Sequence, residues 1–201
     1  MTELARPLRV VAVSGSLTAP SRTTALVEAI VAAFARSIDI DAHLITLNEL
    51  GPHLAGALSR KDLPELAEAE LVRIETADLL IVASPVYRAS FTGLFKHLFD
   101  FVDQYALVDT PVLLAATGGS ERHALIIEHQ LRPLFGFFQS LALPVGVYAH
   151  DSDIVDYTVS DEGLIDRIEK AVSRALPLVR SSLAEREAIE RSLAGEELPI
   201  G

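Results

Sequence analysis

The residues best equipped for chemistry lie in three short turns. The first reads Ser14-Gly-Ser-Leu-Thr-Ala-Pro-Ser-Arg-Thr-Thr24, in which Ser14, Ser16, Ser21, Thr23 and Thr24 supply hydroxyls and Arg22 a fixed positive charge. It follows an apolar run at 8–13 and opens a helical pattern, so its backbone N–H groups and the positive end of the helix converge on one spot and favour a phosphate there. The chain has neither the G-x-x-x-x-G-K-[ST] loop nor the G-x-G-x-x-G fingerprint, because after Gly15 the next glycine is Gly51. A pyrophosphate needs glycines for close backbone approach, whereas a terminal phosphomonoester presents three oxygens to many donors. A hydroxyl-lined loop suits the second group, and FMN carries one. The plainer alternative is a turn in which Ser21 merely caps the helix, a task that needs one hydroxyl.

The second turn is Ser84-Pro-Val-Tyr-Arg-Ala-Ser-Phe-Thr-Gly93 and the third Thr117-Gly-Gly-Ser-Glu-Arg-His123. Pro85 fixes φ and removes a donor. Tyr87 and Arg88 are able to lie along a flat ring system and the chain attached to it. Gly118 and Gly119 let the backbone approach a ligand and offer N–H groups to the polar edge of a heterocycle. Taken singly, each has an ordinary role as turn, core or loop residue; their joint placement carries the functional reading.

The elements that must position these turns follow from hydrophobic patterning. Strand-like apolar runs fall at 8–14, 42–47, 78–84, 111–117 and 144–149, with helical patterns at 22–36, 65–76, 91–104, 123–142 and 164–181. Strands so uniformly apolar are buried on both faces, and intervening helices make right-handed crossovers, which predicts an α/β doubly wound parallel sheet of five strands. Ligands bind such sheets beyond the carboxyl ends of the strands, where the turns after strands one, three and four converge. The stretch 48–64 is the longest connection and is expected to be a mobile flap. One domain is expected over 1–182, followed by a charged helix or tail at 183–201.

Composition sets the outer limits. At 201 residues and 50% hydrophobic content the chain suits one domain, and the absence of cysteine excludes disulfides and thiolate metal sites. Residues 1–7 lack the apolar segment of a signal peptide and no apolar run approaches a membrane span, so a cytoplasmic protein without membrane association is expected. A net charge of −11 argues against nucleic acid as a partner. His97, His123 and His129 form no Ser-His-Asp spacing or His-x-x-x-His pair, and neither a catalytic side chain nor a metal ligand is assigned.

The three turns together resemble those of the NAD(P)H-dependent FMN reductases of flavodoxin-like fold. The similarity is greatest to the reductases that supply reduced FMN to alkanesulfonate and methanesulfonate monooxygenases, and it runs from about residue 8 to 160. The resemblance implies a sheet of order 2-1-3-4-5, with FMN and NADH or NADPH as cofactors. It also implies a flavin-dependent monooxygenase as partner. Phosphate binding is implied for Ser16, Ser21, Arg22 and Thr23, with Ser14 in the same loop, and isoalloxazine binding for Pro85, Val86, Tyr87, Arg88, Thr117, Gly118, Gly119 and Ser120. Hydride transfer between two stacked rings needs no acid or nucleophile from the protein. Two other readings stay open: an FMN-containing quinone or azo reductase, and a non-enzymatic flavodoxin-like electron carrier. The carrier's expected T-x-T-G-x-T loop is not matched by Ser14-Gly-Ser-Leu-Thr18.

Pro133 has no N–H for the carbonyl of His129, so the helical ladder there must break or widen, either as a plain kink or as a π-bulge. The sulfonate-linked reductases carry an inserted residue and a π-helix here at a subunit interface, and His129 falls at the expected insertion. Phe91, Phe95, Phe99, Phe101, Phe135, Phe137 and Phe138 crowd the two helices after strands three and four. That much aromatic surface suggests an oligomer contact, in a homodimer or homotetramer.

Overall fold

The strands β1 (Leu8–Ser14), β3 (Leu79–Pro85) and β4 (Pro111–Gly118) are buried along almost their whole length, which requires helices on both faces of the sheet they form. The computed structural model describes residues 6–193; residues 1–5, and 194–201 at the end of the expected tail, lie outside it. β1 is flanked in parallel by β2 (Ile40–Thr46) and β3, and β3 by β4, giving the order β2-β1-β3-β4-β5 that the family resemblance implies. The position beside β4 is shared by two short segments, β5 (Leu141–Ala142) and β6 (Val147–His150), rather than one strand at 144–149. Pro144 lies between them, where its missing N–H costs no ladder bond.

Side chains alternate between two cores. Val11, Val13, Leu80, Val82, Val112 and Leu114 pack under α2 (Leu47–Leu54), α3 (Glu65–Glu75), α4 (Gly93–Phe101) and α5 (Arg132–Phe137). Val10, Ala12, Leu79, Ile81, Leu113 and Ala115 pack under α1 (Arg22–Ala35) and α6 (Glu162–Leu193). Among the described residues no helix is long and apolar enough to cross a membrane, and no cluster of potential ligands could hold a metal ion.

Several elements depart from the sequence expectation. The stretch 48–64 is no open flap: Leu47, Leu50 and Leu54 recur on one helical face and are buried, so α2 forms despite Gly51 and Pro52. Beyond it Arg60 bonds Glu68, Glu75 and the carbonyl of Phe101, which pins the connection to α3 and α4. The single helix expected at 123–142 is three pieces: a 3-10 turn at Glu121–Leu125, a π-turn at Ile127–Leu131, and α5. The Arg132 N–H reaches back to the Ile127 carbonyl, and Pro133 then occupies the first turn of α5, where its lost donor costs least. A two-stranded hairpin, β7 (Ile154–Val155) with β8 (Thr158–Val159), was not expected. The boundary placed at 182/183 falls inside α6, whose Leu183 is buried and whose Arg186 bonds the Ala77 carbonyl at 3.1 Å.

The phenylalanines are mostly spent internally. Phe95, Phe99, Phe135 and Phe138 pack at ring separations of 4.9–6.3 Å and are buried, as is Phe101, which leaves Phe137 as the exposed member. Their number is therefore explained by the core rather than by an interface.

At the edge of the sheet opposite the three turns, Asp78 is almost wholly buried. Burial alone would raise its pKa, but hydrogen bonds from Arg6 and Arg9, with the Arg9 backbone N–H at 2.9 Å, hold the carboxyl well below the ordinary range. Because its folded pKa is depressed, the stabilisation is present above the unfolded value of about 4 and is lost as pH falls below it. Asp78→Ala should cost about 3 kcal/mol in denaturant unfolding at pH 7, and the gap to wild type should narrow at pH 3. An equal gap at both pH values contradicts this account.

Candidate functional site

The register of β1, β3 and β4 brings the ends of the three turns together. Ser14 stands beside Ala83, and Pro85 beside Thr117. Hydrogen bonds then lock the turns to one another: Gly15 N–H to the Ala83 carbonyl at 2.7 Å, Val86 N–H to the Thr117 carbonyl at 2.9 Å, and Thr23 Oγ1 to Thr117 Oγ1 at 2.7 Å. Thr92 was not singled out from the sequence, although a threonine ahead of an apolar helical run signals a cap. It caps α4 and donates its hydroxyl to the Gly15 carbonyl at 2.9 Å.

Within the first turn the hydroxyls divide. Ser14 is fully buried and bonded to Thr24 at 2.8 Å, whereas Ser16 is bonded only to its own turn, at the Thr18 carbonyl. Ser21 caps α1, accepting from the N–H groups of Thr23 and Thr24, so the cap considered from sequence is present. Arg22 is exposed and spends its Nε on the Ile154 carbonyl of β7 at 3.3 Å, leaving both Nη groups without a partner among the described residues.

The second turn is a tight hairpin closed by Tyr87 and Ser90, whose backbones exchange hydrogen bonds at 2.8 and 3.0 Å. Its central residues, Arg88 and Ala89, have φ of 50° and 65°. Left-handed backbone at non-glycine residues costs energy and gathers at functional sites. The hairpin presents Tyr87 and Arg88 to solvent, and Arg88 makes no side-chain hydrogen bond or ion pair among the described residues. Ser84 and Pro85 support it from below, where Ser84 Oγ accepts the Thr92 N–H at 3.2 Å.

The third turn is tight at its first glycine and less so at its second. A Cβ on Gly118 would stand 2.8 Å from Tyr148 Oη and 3.3 Å from His123 Nδ1, and one on Gly119 would stand 3.1 Å from Asp151 Oδ2. Tyr148 donates to the Ser120 carbonyl at 2.6 Å, and burial raises its pKa. His123 Nδ1 is buried with no partner among the described residues. Tyr148 lies inside an apolar strand run and carries no motif that marks it as a site residue.

Three strand-end turns, donor-rich and locked together at the carboxyl edge of a parallel sheet, define a flavodoxin-like ligand-binding protein. Comparison with known proteins narrows the class. Residues 8–153 match the NADPH-dependent FMN reductase family. The chain is 56% identical over 180 residues to an NADH-dependent FMN reductase, SfnF, of Pseudomonas fluorescens, covering 90% of this chain and 96% of that one. It is 54% identical over 172 residues to an FMN reductase (NADPH) of Pseudomonas aeruginosa, with coverages of 86% and 92%. Among solved structures, an oxidoreductase from Corynebacterium diphtheriae superposes with a TM-score of 0.75 at 33% identity over 87% of this chain and 98% of that one. The apo NADH:FMN oxidoreductase EMOB gives 0.75 at 29%, over 87% and 89%. The chain belongs to the NADPH-dependent FMN reductase family, whose members use FMN and a nicotinamide donor. The residues present fit FMN: the two Arg22 Nη groups and the Arg88 guanidinium, which have no partner among the described residues, a tight glycine at Gly118 that a Cβ would crowd, and the orphaned His123 ring nitrogen behind it.

The crowding at Gly118 has a direct test. Gly118→Ala should weaken FMN binding about tenfold or more, because the new methyl group must displace Tyr148 or the turn. Adding Tyr148→Phe removes the nearest atom and should restore part of the affinity. A Gly118→Ala protein that binds FMN as wild type does contradicts the crowding.

Proposed function

We propose that this protein reduces free FMN with NADH or NADPH and supplies the product to a flavin-dependent monooxygenase of sulfonate metabolism. The observation that carries the site assignment is the locking of the three turns, above all the Thr23 to Thr117 bond. The family match and the relatives named FMN reductase support the activity, and at more than half identity they favour it over a quinone or azo reductase or an electron carrier. A cytoplasmic location is part of this reading, since the donor is drawn from the cell's own pool.

Bound FMN would supply a ring nitrogen, N5, able to take up a hydride from the nicotinamide C4. The chain's residues bind and orient. Arg22 Nη groups, the Ser16 and Ser21 hydroxyls and the α1 N-terminus hold the phosphate, while Ser14 and Thr23 shape the loop from behind through Thr24 and Thr117. Pro85, Val86, Tyr87 and Arg88 border the ring system, and the turn Thr117, Gly118, Gly119 and Ser120 offers N–H groups to its polar edge. These donors, with Arg88, favour the added negative charge of the reduced form. No acid, base or nucleophile is assigned. A homodimer or homotetramer formed through the π-turn region is also proposed, supported by Leu125 and Phe137, which are 60% and 64% exposed on either side of it.

Purified protein should oxidise NADH or NADPH only when FMN is added, and Arg22→Ala should raise KM for FMN about tenfold or more while leaving that for riboflavin within about twofold. No FMN-dependent oxidation with either donor overturns the activity, and equal effects on both flavins place Arg22 away from the phosphate. Light scattering that finds a monomer at micromolar concentration overturns the assembly.

A further inference from the structure

The carboxyl edge of the sheet has a further strand end that the three turns do not include. β6 pairs with β4 so that His150 stands beside Gly118, and the chain leaving β6 runs from the third turn to the first. At its start Asp151 lies behind Gly119, its Oδ2 3.1 Å from where a Cβ would stand. Three residues further on, the Ile154 carbonyl accepts the Arg22 Nε–H at 3.3 Å. The segment thus touches the glycine turn at one end and the arginine of the hydroxyl-rich turn at the other.

Its packing holds that carbonyl in place. Ile154 is buried in the core under α1 and α6, and the Asp153 carbonyl accepts the N–H groups of Ser160 and Asp161 at 3.1 and 3.3 Å, which closes the β7–β8 hairpin at its base. The carboxylates on either side of the hairpin are spent on backbone donors: Asp153 Oδ2 accepts the His150 N–H at 2.9 Å, and Asp161 Oδ1 the Leu164 N–H at 2.8 Å. The hairpin turns at Asp156 and Tyr157, with φ of 47° and 59°, the left-handed pair that suits the twist of two paired strands. What this segment offers Arg22 is therefore a neutral oxygen. A carboxylate would orient the side chain equally well but cancel its charge, whereas the carbonyl takes one N–H and leaves the full charge and both Nη groups for an anion. An exposed arginine without such an anchor gives up more side-chain freedom on binding.

We propose that the β7–β8 hairpin is a positioning element of the flavin site, which aims Arg22 through the Ile154 carbonyl and so sets the preference for FMN over riboflavin. The inference rests on the reductase reading and adds to it an element from outside the three turns. The hairpin itself is assigned no contact with the flavin; it acts through Arg22.

The test is a double-mutant cycle, read as the dissociation constants of FMN and riboflavin from quenching of flavin fluorescence. Proline cannot adopt the positive φ of residue 156, so Asp156→Pro disrupts the hairpin. It should weaken FMN binding about fivefold or more and change riboflavin binding by less than about twofold. In an Arg22→Ala background the same substitution should change FMN binding by less than about twofold, because the group it acts through is gone. Asp156→Asn with Tyr157→Gly removes the same charge but installs the residues this turn prefers, and should bind FMN within about twofold of wild type. Unchanged FMN binding in Asp156→Pro, an equal loss for riboflavin, or the same loss in the absence of Arg22 overturns the proposal. If Asp156→Pro lacks the circular dichroism of the native fold, Tyr157→Val strains the same turn without altering charge, and the same outcomes decide. A wild type that binds neither flavin strikes the reductase reading itself, whereas one that binds FMN but is indifferent to the hairpin strikes this inference alone.

Discussion

A parallel sheet buried on both faces allows its strands one arrangement: every carboxyl end at one edge, in a register set by side chains that must alternate between two cores. In this protein that constraint places Ser14 beside Ala83 and Pro85 beside Thr117, although about a hundred residues separate the first from the last. The turns that follow inherit the alignment. Their mutual hydrogen bonds, with Thr23 to Thr117 reaching across 94 residues of sequence, refine it. At the opposite edge the buried Asp78 ties the start of β3 to β1 through the Arg9 backbone and side chain, so the same strands are fixed at both ends.

Against this regular frame, some of the local irregularities lie around the proposed flavin site, while the left-handed backbone at Asp109, Gln139, Asp156 and Tyr157 lies outside the three turns. Arg88 and Ala89 hold left-handed backbone, His123 buries an unpartnered ring nitrogen, and the helix after β4 widens to a π-turn before Pro133. Each costs stability that a purely structural sequence would avoid. The sheet carries that cost because its two cores are built mainly from strand and helix side chains that are almost entirely buried, with Leu17, Val86, Phe91, Ile127 and Leu131 of the turns packing onto one of them.

The sheet was legible because strands covered on both faces must be apolar without interruption, as at 8–13 and 79–83, and the three turns were legible because they directly follow such strands. Where punctuating residues and periodicity disagreed, reading failed. Gly51 and Pro52 suggested a loop although Leu47, Leu50 and Leu54 carry a helical face. The last strand position was read as one run because its interruption at Pro144 is local, while its division into β5 and β6 is set by pairing to β4. Two-residue strands such as β7 and β8 have no period to detect, and their turn at Asp156 and Tyr157 lacks the usual glycine. The phenylalanine count pointed outward, yet the rings pack on each other in a way that composition does not encode. Within the site, residue types and order were readable; the division between hydroxyls that face outward and those, like Ser14, that brace the loop depends on side-chain directions that exist only once the strands are paired.

The claim that three strand-end turns act as one flavin site is tested most directly by backbone hydrogen exchange with and without FMN. The account predicts added protection together in 15–24, 84–92 and 117–123, all three rising over the same FMN concentrations, with β2 and α3 unchanged. Protection in only one of these segments, or centred on the cleft beside β2, would contradict it.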